Sequence, residues 1–418
     1  MNPIEELNQK GKLAKAASYQ LASLSTAVKN KALLAIAEAL RAHTGFLLEE
    51  NARDLHQGRQ NGMAKGLLDR LMLNEARIDA MAEGIEQIAA LPDPIGEMVS
   101  QTKRPNGLKI GQVRVPLGVI GIIYEARPNV TADAAGLCIK AGNAVILRGG
   151  KEAAASNRAI VKVMQTAGYA AGLPEGCINL VEDTTRESAT ALMKLNEYLD
   201  VIIPRGGAGL IRAVVENATV PAIETGTGNC HVYVDATADL EMAKAIVLNA
   251  KTQRPSVCNA EEKLLVHKSI AREFLADILP ALEERGVEII GDSEVCAVYP
   301  HAKAAQEEDW GTEYLDLKIG VKVVDSLDAA IAHINRYNSG HSEAIVTRDY
   351  AASQQFLDQV DAAAVYVNAS TRFTDGFEFG FGAEIGISTQ KIHARGPMGL
   401  TALTSTKYII FGDGQIRS

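Results

Sequence analysis

The sequence has few cysteines and no apolar run long enough to cross a membrane. Its five cysteines are scattered over 418 residues without a Cys-x-x-Cys pair, which argues against a disulfide framework or a zinc site and favours a reducing compartment. The most apolar stretch, residues 115–124, is too short for a transmembrane helix. The N-terminal segment MNPIEELNQKGKLAK lacks the apolar core of a signal peptide. We therefore expect a soluble, cytoplasmic protein with no metal and no membrane partner.

Positive charge is also scarce, because 42 Lys and Arg residues stand against 51 Asp and Glu residues and leave a formal net charge of −9. This balance argues against nucleic acid as a partner. Glycine, by contrast, is abundant at 36 residues, and 47% of the chain is hydrophobic, a composition typical of a turn-rich α/β protein. The length suffices for two or three domains with sizeable cores.

The spacing of apolar residues changes along the chain. Residues 1 to about 95 have helical spacing. Residues 108–115 (LKIGQVRV) alternate apolar and polar side chains, as an antiparallel strand does. From residue 119 onward, short apolar strands alternate with helices, which predicts parallel, doubly wound sheets. The predicted strands are residues 119–123, 144–147, 177–181, 201–204, 231–234, 262–267, 319–324, 344–347 and 363–367.

We predict two doubly wound α/β domains, joined near residues 224–229, and a small β arm. The β-rich residues 406–411 are suited to pair with the early ribbon, and such an arm predicts a homo-oligomer. The first domain is predicted as residues 1–100 and 117–226, the second as residues 227–390, and the arm as residues 101–116 and 391–418.

One cysteine, Cys258, lies in a turn and is a candidate nucleophile. It sits in KTQRPSVCNAEEKLLV, ahead of an apolar run that predicts a strand. The thiolate is the reactive form of a thiol whose ordinary pKa is about 8.5, so the nearby positive charges of Lys251 and Arg254 would favour it. The structural alternative is that Cys258 is a small buried hydrophobic residue.

A glycine-rich turn, RGGAG at residues 205–209, lies between a predicted strand and a predicted helix at residues 210–217. Backbone N–H groups at such a helix N-terminus are suited to a phosphate. The turn lacks the spacing Gly-x-Gly-x-x-Gly of the usual dinucleotide motif. Nucleotide binding and a plain tight turn both remain open.

Four blocks of sequence resemble the aldehyde dehydrogenase superfamily and, within it, the gamma-glutamyl phosphate reductase family. They are YEARPNVTADAAGLCIKAGNAVILRGGKEA from Tyr124, IETGTGNCHVYVD from Ile223, QRPSVCNAEEKLL from Gln253 and VDSLDAAIAHINRYNSGHSEAI from Val324. The resemblance extends over essentially the whole chain. It implies an aldehyde dehydrogenase-like α/β fold with a cofactor domain, a catalytic domain and an oligomerisation arm, and it places the family's nucleophile at Cys258.

The resemblance also implies a reaction, the NADPH-dependent reduction of L-glutamyl 5-phosphate to glutamate 5-semialdehyde in proline biosynthesis. Cys258 would expel phosphate and form a thioester, which accepts hydride far better than a carboxylate does. One alternative is a hydrolytic, NAD-dependent aldehyde dehydrogenase in which Glu224 activates water. Another is a catalytically silent nucleotide-binding scaffold. Association with glutamate 5-kinase remains open.

For the cofactor, the resemblance assigns Glu313 to the nicotinamide ribose, and Arg148 and Lys151 to the adenosine ribose. Cationic side chains there favour a 2′-phosphate and thus NADPH. Glu224 is either a catalytic base or a carboxylate that orients a loop or the nicotinamide. The glycines expected to contact the diphosphate are Gly206, Gly207 and Gly209.

For the substrate, we expect arginines to bind the two anionic ends. Arg372 is assigned to the α-carboxylate, and Arg127 or Arg254 to the phosphate. The backbone N–H of Cys258 is one candidate oxyanion donor. Asn129 lies close to the position where many relatives place an asparagine donor, and the second donor is left unassigned. Ser370 belongs to the loop NASTR, which anchors the far end of the substrate in relatives.

Overall fold

The computed structural model of the protein describes residues 2–417. Within it the chain forms two compact units. The first runs through Glu224 and also includes Gly380–Gly386 and the chain from Met398 onward, and the second comprises Thr225–Phe379 and Ile387–Pro397. The assignment of separate cofactor and catalytic roles to these regions stays a prediction.

Helices dominate the N-terminal part of the first unit, as the helical spacing predicts. Polar caps fix where they begin: Asn2 and Glu5 form a capping box, and the Ser25 and Asn74 side chains accept backbone N–H groups of the following first turns. The buried face of the second helix follows the helical period through Leu33, Ile36 and Leu40. The helices are α1 (Pro3–Leu21), α2 (Thr26–Ala42), α3 (Thr44–Gln60), α4 (Lys65–Leu71) and α5 (Glu75–Ala90).

A four-stranded parallel sheet follows in the first unit, in the order β5-β4-β3-β6. The chain first moves outward from β3 to β4 and β5 and then returns to the other side of β3, so the strand order reverses between β3 and β6. The elements are β1 (Met98–Lys103), β2 (Lys109–Pro116), β3 (Val119–Tyr124), α6 (Pro128–Lys140), β4 (Ala144–Arg148), α7 (Ala154–Ala170), β5 (Ile178–Leu180), α8 (Arg186–Met193), β6 (Val201–Arg205) and α9 (Ala208–Asn217).

The second unit contains a seven-stranded parallel sheet in the order β10-β9-β11-β8-β7-β12-β13. Its core packs Phe274, Leu275 and Ile278 of one helix against the buried strands. The elements are β7 (Cys230–Val234), α10 (Leu240–Thr252), β8 (Glu261–His267), α11 (Lys268–Glu283), β9 (Glu288–Gly291), α12 (Ser293–Val298), β10 (Lys303–Ala304), β11 (Lys318–Val324), α13 (Leu327–Tyr337), β12 (Ser342–Val346), α14 (Tyr350–Gln359), β13 (Ala364–Val367), β14 (Ile387–Ser388) and β15 (Gly396–Pro397).

The last strand, β16 (Thr404–Phe411), pairs antiparallel with β2 along its whole length. The predicted pairing of the C-terminal segment with the early ribbon is thus confirmed. Strand β1 on the other edge was not predicted, because all six of its residues are exposed and no apolar alternation marks them. None of the helices between residues 2 and 417 has the length and hydropathy to cross a membrane. A role of this three-stranded arm in oligomerisation stays a prediction.

Candidate active site

Cys258 lies in the turn between α10 and β8 in the second unit and is partly exposed. The segment after Thr225 passes directly over this turn, and a Cβ atom at Gly228 would overlap the Cys258 carbonyl. The Cys230 thiol, at the start of β7, donates to the same carbonyl at 3.2 Å. Burial raises the pKa of the Cys230 thiol well above its ordinary value. Of these two thiols, Cys258 alone has the exposure that a nucleophile needs.

Arg372 is held next to this turn. Its Nη1 donates to the Oδ1 of Asn259, and its Nε donates to the Oε1 of Gln253 at 3.0 Å. Burial and the neighbouring Arg254 lower the pKa of Arg372, whereas the Cys258 sulfur raises it. Arg254 and Cys258 therefore both act electrostatically on Arg372 within the second unit, and the roles of the two arginines in substrate binding stay predictions.

Asn259 joins the cysteine turn to the loop that carries Arg372. Its side chain is buried, and its Nδ2 donates to the backbone carbonyls of Arg372 at 3.2 Å and Thr374 at 3.0 Å. The Thr371 hydroxyl donates to the Asn259 carbonyl at 2.7 Å. Ser370 is used locally, because its hydroxyl accepts the Arg372 N–H at 3.3 Å. Sequence reasoning missed the role of Asn259, although its position beside Cys258 was a signal.

The expectation that Lys251 favours the thiolate is wrong. Its side chain is fully buried and forms an ion pair with Glu262 at 3.3 Å. Burial lowers the pKa of Lys251, and the Glu262 carboxylate opposes that shift. A buried ammonium group needs an opposite charge, and Glu262 supplies it, so the charge of Lys251 is used within the core. Arg254, which is exposed, is left as the upstream cation of the turn.

Glu313 lies in the second unit between Gly311 and β11. Its Oε1 accepts the Gly228 N–H at 2.6 Å, so it contacts the segment that passes over the cysteine turn. Burial raises the pKa of Glu313, and the Gly228 N–H and Lys263 oppose that shift. The predicted contact with a nicotinamide ribose stays a prediction.

In the first unit, the glycine-rich turn follows β6 at the point where the strand order reverses. Such a crevice, at the carboxyl ends of parallel strands, is the usual ligand position in open α/β sheets. However, the Gly207 N–H donates to the Glu125 Oε1 at 3.1 Å. A Cβ at Gly206 would lie 2.7 Å from the Glu125 side chain. The prediction that Gly209 belongs to the turn is wrong, because α9 begins at Ala208.

The side chain of Arg148 is directed to backbone carbonyl groups. Its Nη2 donates to the carbonyls of Thr184 at 2.7 Å and Thr185 at 2.9 Å, and burial lowers its pKa. These contacts use Nη2, whereas the buried Nε makes no hydrogen bond within the described residues, so the assignment of Arg148 to the adenosine ribose stays a prediction. Lys151 is exposed in the short turn Lys151–Ala153 after β4 and keeps its assignment as a prediction.

A pocket beside β4 and β5 contains two residues that sequence reasoning missed. It is bordered by Gly149, Gly150, Asn157, Arg158 and Thr184, among others. Asn157 is buried, and its Nδ2 makes no hydrogen bond within the described residues. Arg158 is exposed on α7 at the same pocket. An unpaired buried donor beside an exposed guanidinium suits a ligand rich in oxygen atoms, although the Glu182 carboxylate also borders the pocket and would repel an anion close to it.

The other predicted residues of the first unit lie near the loop after β3. Arg127 is the N-cap residue of α6, and its backbone N–H donates to the Glu125 carbonyl at 2.7 Å. Asn129 is exposed in the first turn of that helix and donates to Asp133 at 3.1 Å. Glu224 is the last residue before the chain enters the second unit. The structure leaves their roles as predictions.

Comparisons with known proteins cover nearly the whole chain. The profile of the aldehyde dehydrogenase family matches residues 4–316 and 319–409. The gamma-glutamyl phosphate reductase of Heliobacterium modesticaldum is 65% identical over 99% of both chains. That of Moorella thermoacetica is 63% identical over 100% of both chains.

Solved structures agree with these sequence matches. The gamma-glutamyl phosphate reductase of Thermotoga maritima has a TM-score of 0.97 at 49% identity and covers 99% of this chain and 100% of its own. An acetylating aldehyde dehydrogenase from Geobacillus thermoglucosidasius, at 20% identity and a TM-score of 0.70, covers 100% of this chain and 98% of its own and shares the fold. The predicted aldehyde dehydrogenase-like α/β fold is confirmed.

Proposed function

Because the chain belongs to the aldehyde dehydrogenase family and matches gamma-glutamyl phosphate reductases over its full length, we propose that it reduces L-glutamyl 5-phosphate to L-glutamate 5-semialdehyde. This is the second step of proline biosynthesis from glutamate. Membership of the family makes the chain an oxidoreductase with a nicotinamide cofactor. The proposal further specifies NADPH, a thioester on Cys258 and the release of phosphate, in the cytoplasm.

The observation that carries the proposal is the partly exposed Cys258 beside the guanidinium groups of Arg254 and Arg372. The substrate carries a carboxylate and an acyl phosphate, and guanidinium groups are suited to both. Since an oxidising enzyme of a neutral aldehyde needs no such pair, the arginines favour an anionic acyl donor.

In the proposed first step, the Cys258 thiolate attacks the acyl carbon, the carbon–oxygen bond to phosphate breaks, and a thioester forms. The oxygen of the acyl group gains negative charge as the sulfur adds. The backbone N–H of Cys258 is our candidate donor to that oxygen, and the loss of one such donor in other enzymes costs about 10²–10³ in rate. We propose that Arg254 and Arg372 stabilise the departing phosphate, which replaces the sequence-based assignment of Arg372 to the α-carboxylate.

In the second step, the thioester carbon is reduced and the resulting thiohemiacetal collapses, which returns the electrons of the C–S bond to Cys258 and releases the aldehyde. When bound, NADPH supplies the hydride for this step. Glu313 and the segment at Gly228 orient the nicotinamide end in our proposal. No general base is required, so Glu224 acts as an orienting carboxylate rather than as an activator of water.

The residues of the first unit fit such a cofactor. The buried Asn157 Nδ2 makes no hydrogen bond within the described chain, and it borders the same pocket as Arg158. We propose that these two residues, together with Lys151, bind the ribose and its 2′-phosphate. Gly206 and Gly207 bind the diphosphate once the Glu125 carboxylate moves from the Gly207 N–H.

The reaction is best tested in reverse, because an acyl phosphate is an activated and short-lived donor. The purified protein is mixed with glutamate semialdehyde and NADP⁺, with and without inorganic phosphate, and NADPH formation is followed by absorbance. We expect turnover that requires phosphate and is lost in Cys258→Ala. Turnover without phosphate would instead support a hydrolytic aldehyde dehydrogenase with Glu224 as its base, and no turnover would support a silent scaffold or another aldehyde.

A further inference from the structure

The guanidinium of Arg372 is held on two sides by neutral oxygens. One belongs to the amide of Asn259 and the other to the amide of Gln253. Asp375 is close enough to raise the pKa of Arg372, yet within residues 2–417 no carboxylate forms an ion pair with this guanidinium. The side chain is therefore fixed in place without a carboxylate paired to its guanidinium.

Other arginines of the protein are bound differently. Arg348 contacts the Asp239 carboxylate, Arg336 contacts Glu307, and Arg395 contacts Asp361. A carboxylate in the place of an amide would orient the guanidinium equally well but would compete with any anionic ligand for its N–H groups and charge. The choice of amides at Arg372 thus points to an anionic ligand.

We propose that Asn259 is a positioning residue whose neutral side chain holds the Arg372 guanidinium, still fully charged, for the phosphate group of the substrate. Its Nδ2 bonds to the Arg372 and Thr374 carbonyls fix the loop, and its Oδ1 fixes the guanidinium. Because Asn259 follows Cys258 directly in the chain, its contact with Nη1 ties the Arg372 guanidinium to the cysteine turn. The identity of the anion as the substrate's phosphate rests on the proposed function. The position of the Arg372 guanidinium beside the cysteine turn does not depend on it.

The test adds a negative charge at nearly constant side-chain size. Asn259→Asp also removes the Nδ2 donor to the Arg372 and Thr374 carbonyls, so the Gln253 variants are needed to isolate the effect of charge. Asn259→Asp replaces the amide that accepts from Arg372 Nη1, and Gln253→Glu does the same at the exposed position that accepts from Nε. Gln253→Ala removes the second contact without a charge. Gln354→Glu, on the exposed face of α14, introduces the same charge elsewhere in the same unit. Each protein is assayed in the reverse direction for the KM of phosphate and of the aldehyde, and for the rate at which iodoacetamide alkylates Cys258 without substrate.

We expect Asn259→Asp to raise the KM of phosphate about tenfold and Gln253→Glu about threefold, since solvent screens the exposed site more strongly. Gln253→Ala and Gln354→Glu change the KM of phosphate less than twofold. Alkylation of Cys258 slows severalfold in Asn259→Asp, because the carboxylate offsets the positive charge that favours the thiolate.

An unchanged KM of phosphate in both carboxylate variants would overturn the inference. An equal effect of Gln253→Ala and Gln253→Glu would also overturn it, because the contact and not the charge would then matter. If Asn259→Asp fails to fold, the exposed Gln253 pair still decides the question. Failure of the proposed function is separate: it appears as phosphate-independent turnover of the wild-type protein, while the alkylation rates still report whether the charge beside Cys258 depends on Asn259.

Discussion

In the second unit the Arg372 guanidinium is met by two neutral amide oxygens, whereas in the first unit the N-terminus of α9 is met by the carboxylate of Glu125. The Arg372 guanidinium carries a full positive charge, and the N-terminus of α9 carries a partial one from its backbone N–H groups. Either place is suited to an anion. At Arg372 no carboxylate of the described chain pairs with the charge, whereas at α9 the Glu125 carboxylate accepts the Gly207 N–H.

The difference shows that an anion site is defined by the groups opposite the positive charge as much as by the turn itself. The glycine-rich turn after β6 offers backbone N–H groups, but an acid from the loop after β3 accepts one of them. Arg254 in the cysteine turn and Arg372 beside it offer positive charge, and in the described chain the Arg372 guanidinium donates hydrogen bonds only to amide oxygens. We therefore expect substitutions around Arg372 to weaken the binding of an anionic ligand directly. Substitution of Glu125 at the glycine-rich turn is expected to strengthen binding, because it removes a carboxylate that competes with the ligand.

The largest effect is expected for Arg372→Ala. Loss of the guanidinium removes the charged contact that we propose for phosphate, so the KM of phosphate rises at least tenfold, whereas a rise of that size in the KM of glutamate semialdehyde would return Arg372 to the α-carboxylate. Steady-state kinetics in the reverse direction measures both values. Arg336→Ala, which removes an exposed arginine paired with Glu307 in the same unit, serves as the control, and an unchanged KM in Arg372→Ala would contradict the assignment.

Arg158 and Arg148 separate a ligand contact from a structural one in the first unit. Arg158→Ala is expected to lower the preference for NADPH over NADH about tenfold, because the 2′-phosphate loses a cationic partner. Arg148→Ala leaves the preference within twofold but lowers the melting temperature, since the hydrogen bonds to the Thr184 and Thr185 carbonyls are lost. Kinetics with both cofactors and thermal denaturation measure these outcomes. If Arg148→Ala instead lowered the preference for NADPH and Arg158→Ala did not, Arg148 would be the residue that binds the 2′-phosphate.

A smaller effect is expected for Glu125→Gln. The amide keeps the size of the side chain but removes the charge that competes with a diphosphate at the Gly207 N–H, so the KM of NADP⁺ falls about threefold. Glu187→Gln makes the same change in the first turn of α8 and leaves that KM unaltered. A KM that rises in Glu125→Gln would show that the carboxylate assists cofactor binding.

The smallest effect concerns Asp133, which is near Arg205 of the glycine-rich turn. Burial raises the pKa of Asp133 from 3.8 to about 6. The folded chain then binds this proton more tightly than the unfolded chain, so the contribution to stability is full below about pH 4 and is lost as the pH rises to about 6. We expect Asp133→Asn to melt a few degrees above the wild-type protein at pH 7 and level with it at about pH 4. If the two proteins differed in melting temperature by the same amount at pH 7 and at about pH 4, the ionisation of Asp133 would not explain the difference.

Much of the fold followed from local patterns. Short apolar runs located the strands β3, β4, β6 and β11, and the alternation of residues 108–115 located β2. β1 was missed because its residues are all exposed. The start of α9 was placed two residues too late, because glycine is frequent in turns but is also accepted in the first turn of a helix.

The candidate site was only partly predictable. The position of Cys258 in a turn was apparent from Pro255 and Asn259 around it. The burial of Lys251 against Glu262 was not, because it depends on a partner eleven residues away on a different element. The same holds for Arg148 and for the amides at Arg372, since a sequence shows which charges exist but not which groups the fold places opposite them.

The central claim is that the acyl group is bound to Cys258 as a thioester and that, in the reverse reaction, phosphate takes the acyl group from the sulfur. The intact mass of the protein, measured after mixing with glutamate semialdehyde and NADP⁺ in the absence of phosphate, tests it most directly. We predict one acyl adduct per chain, located on Cys258 by peptide mapping, stable in buffer and discharged when inorganic phosphate is added. An adduct absent from the wild-type protein, or one that water discharges as rapidly as phosphate does, would contradict the account.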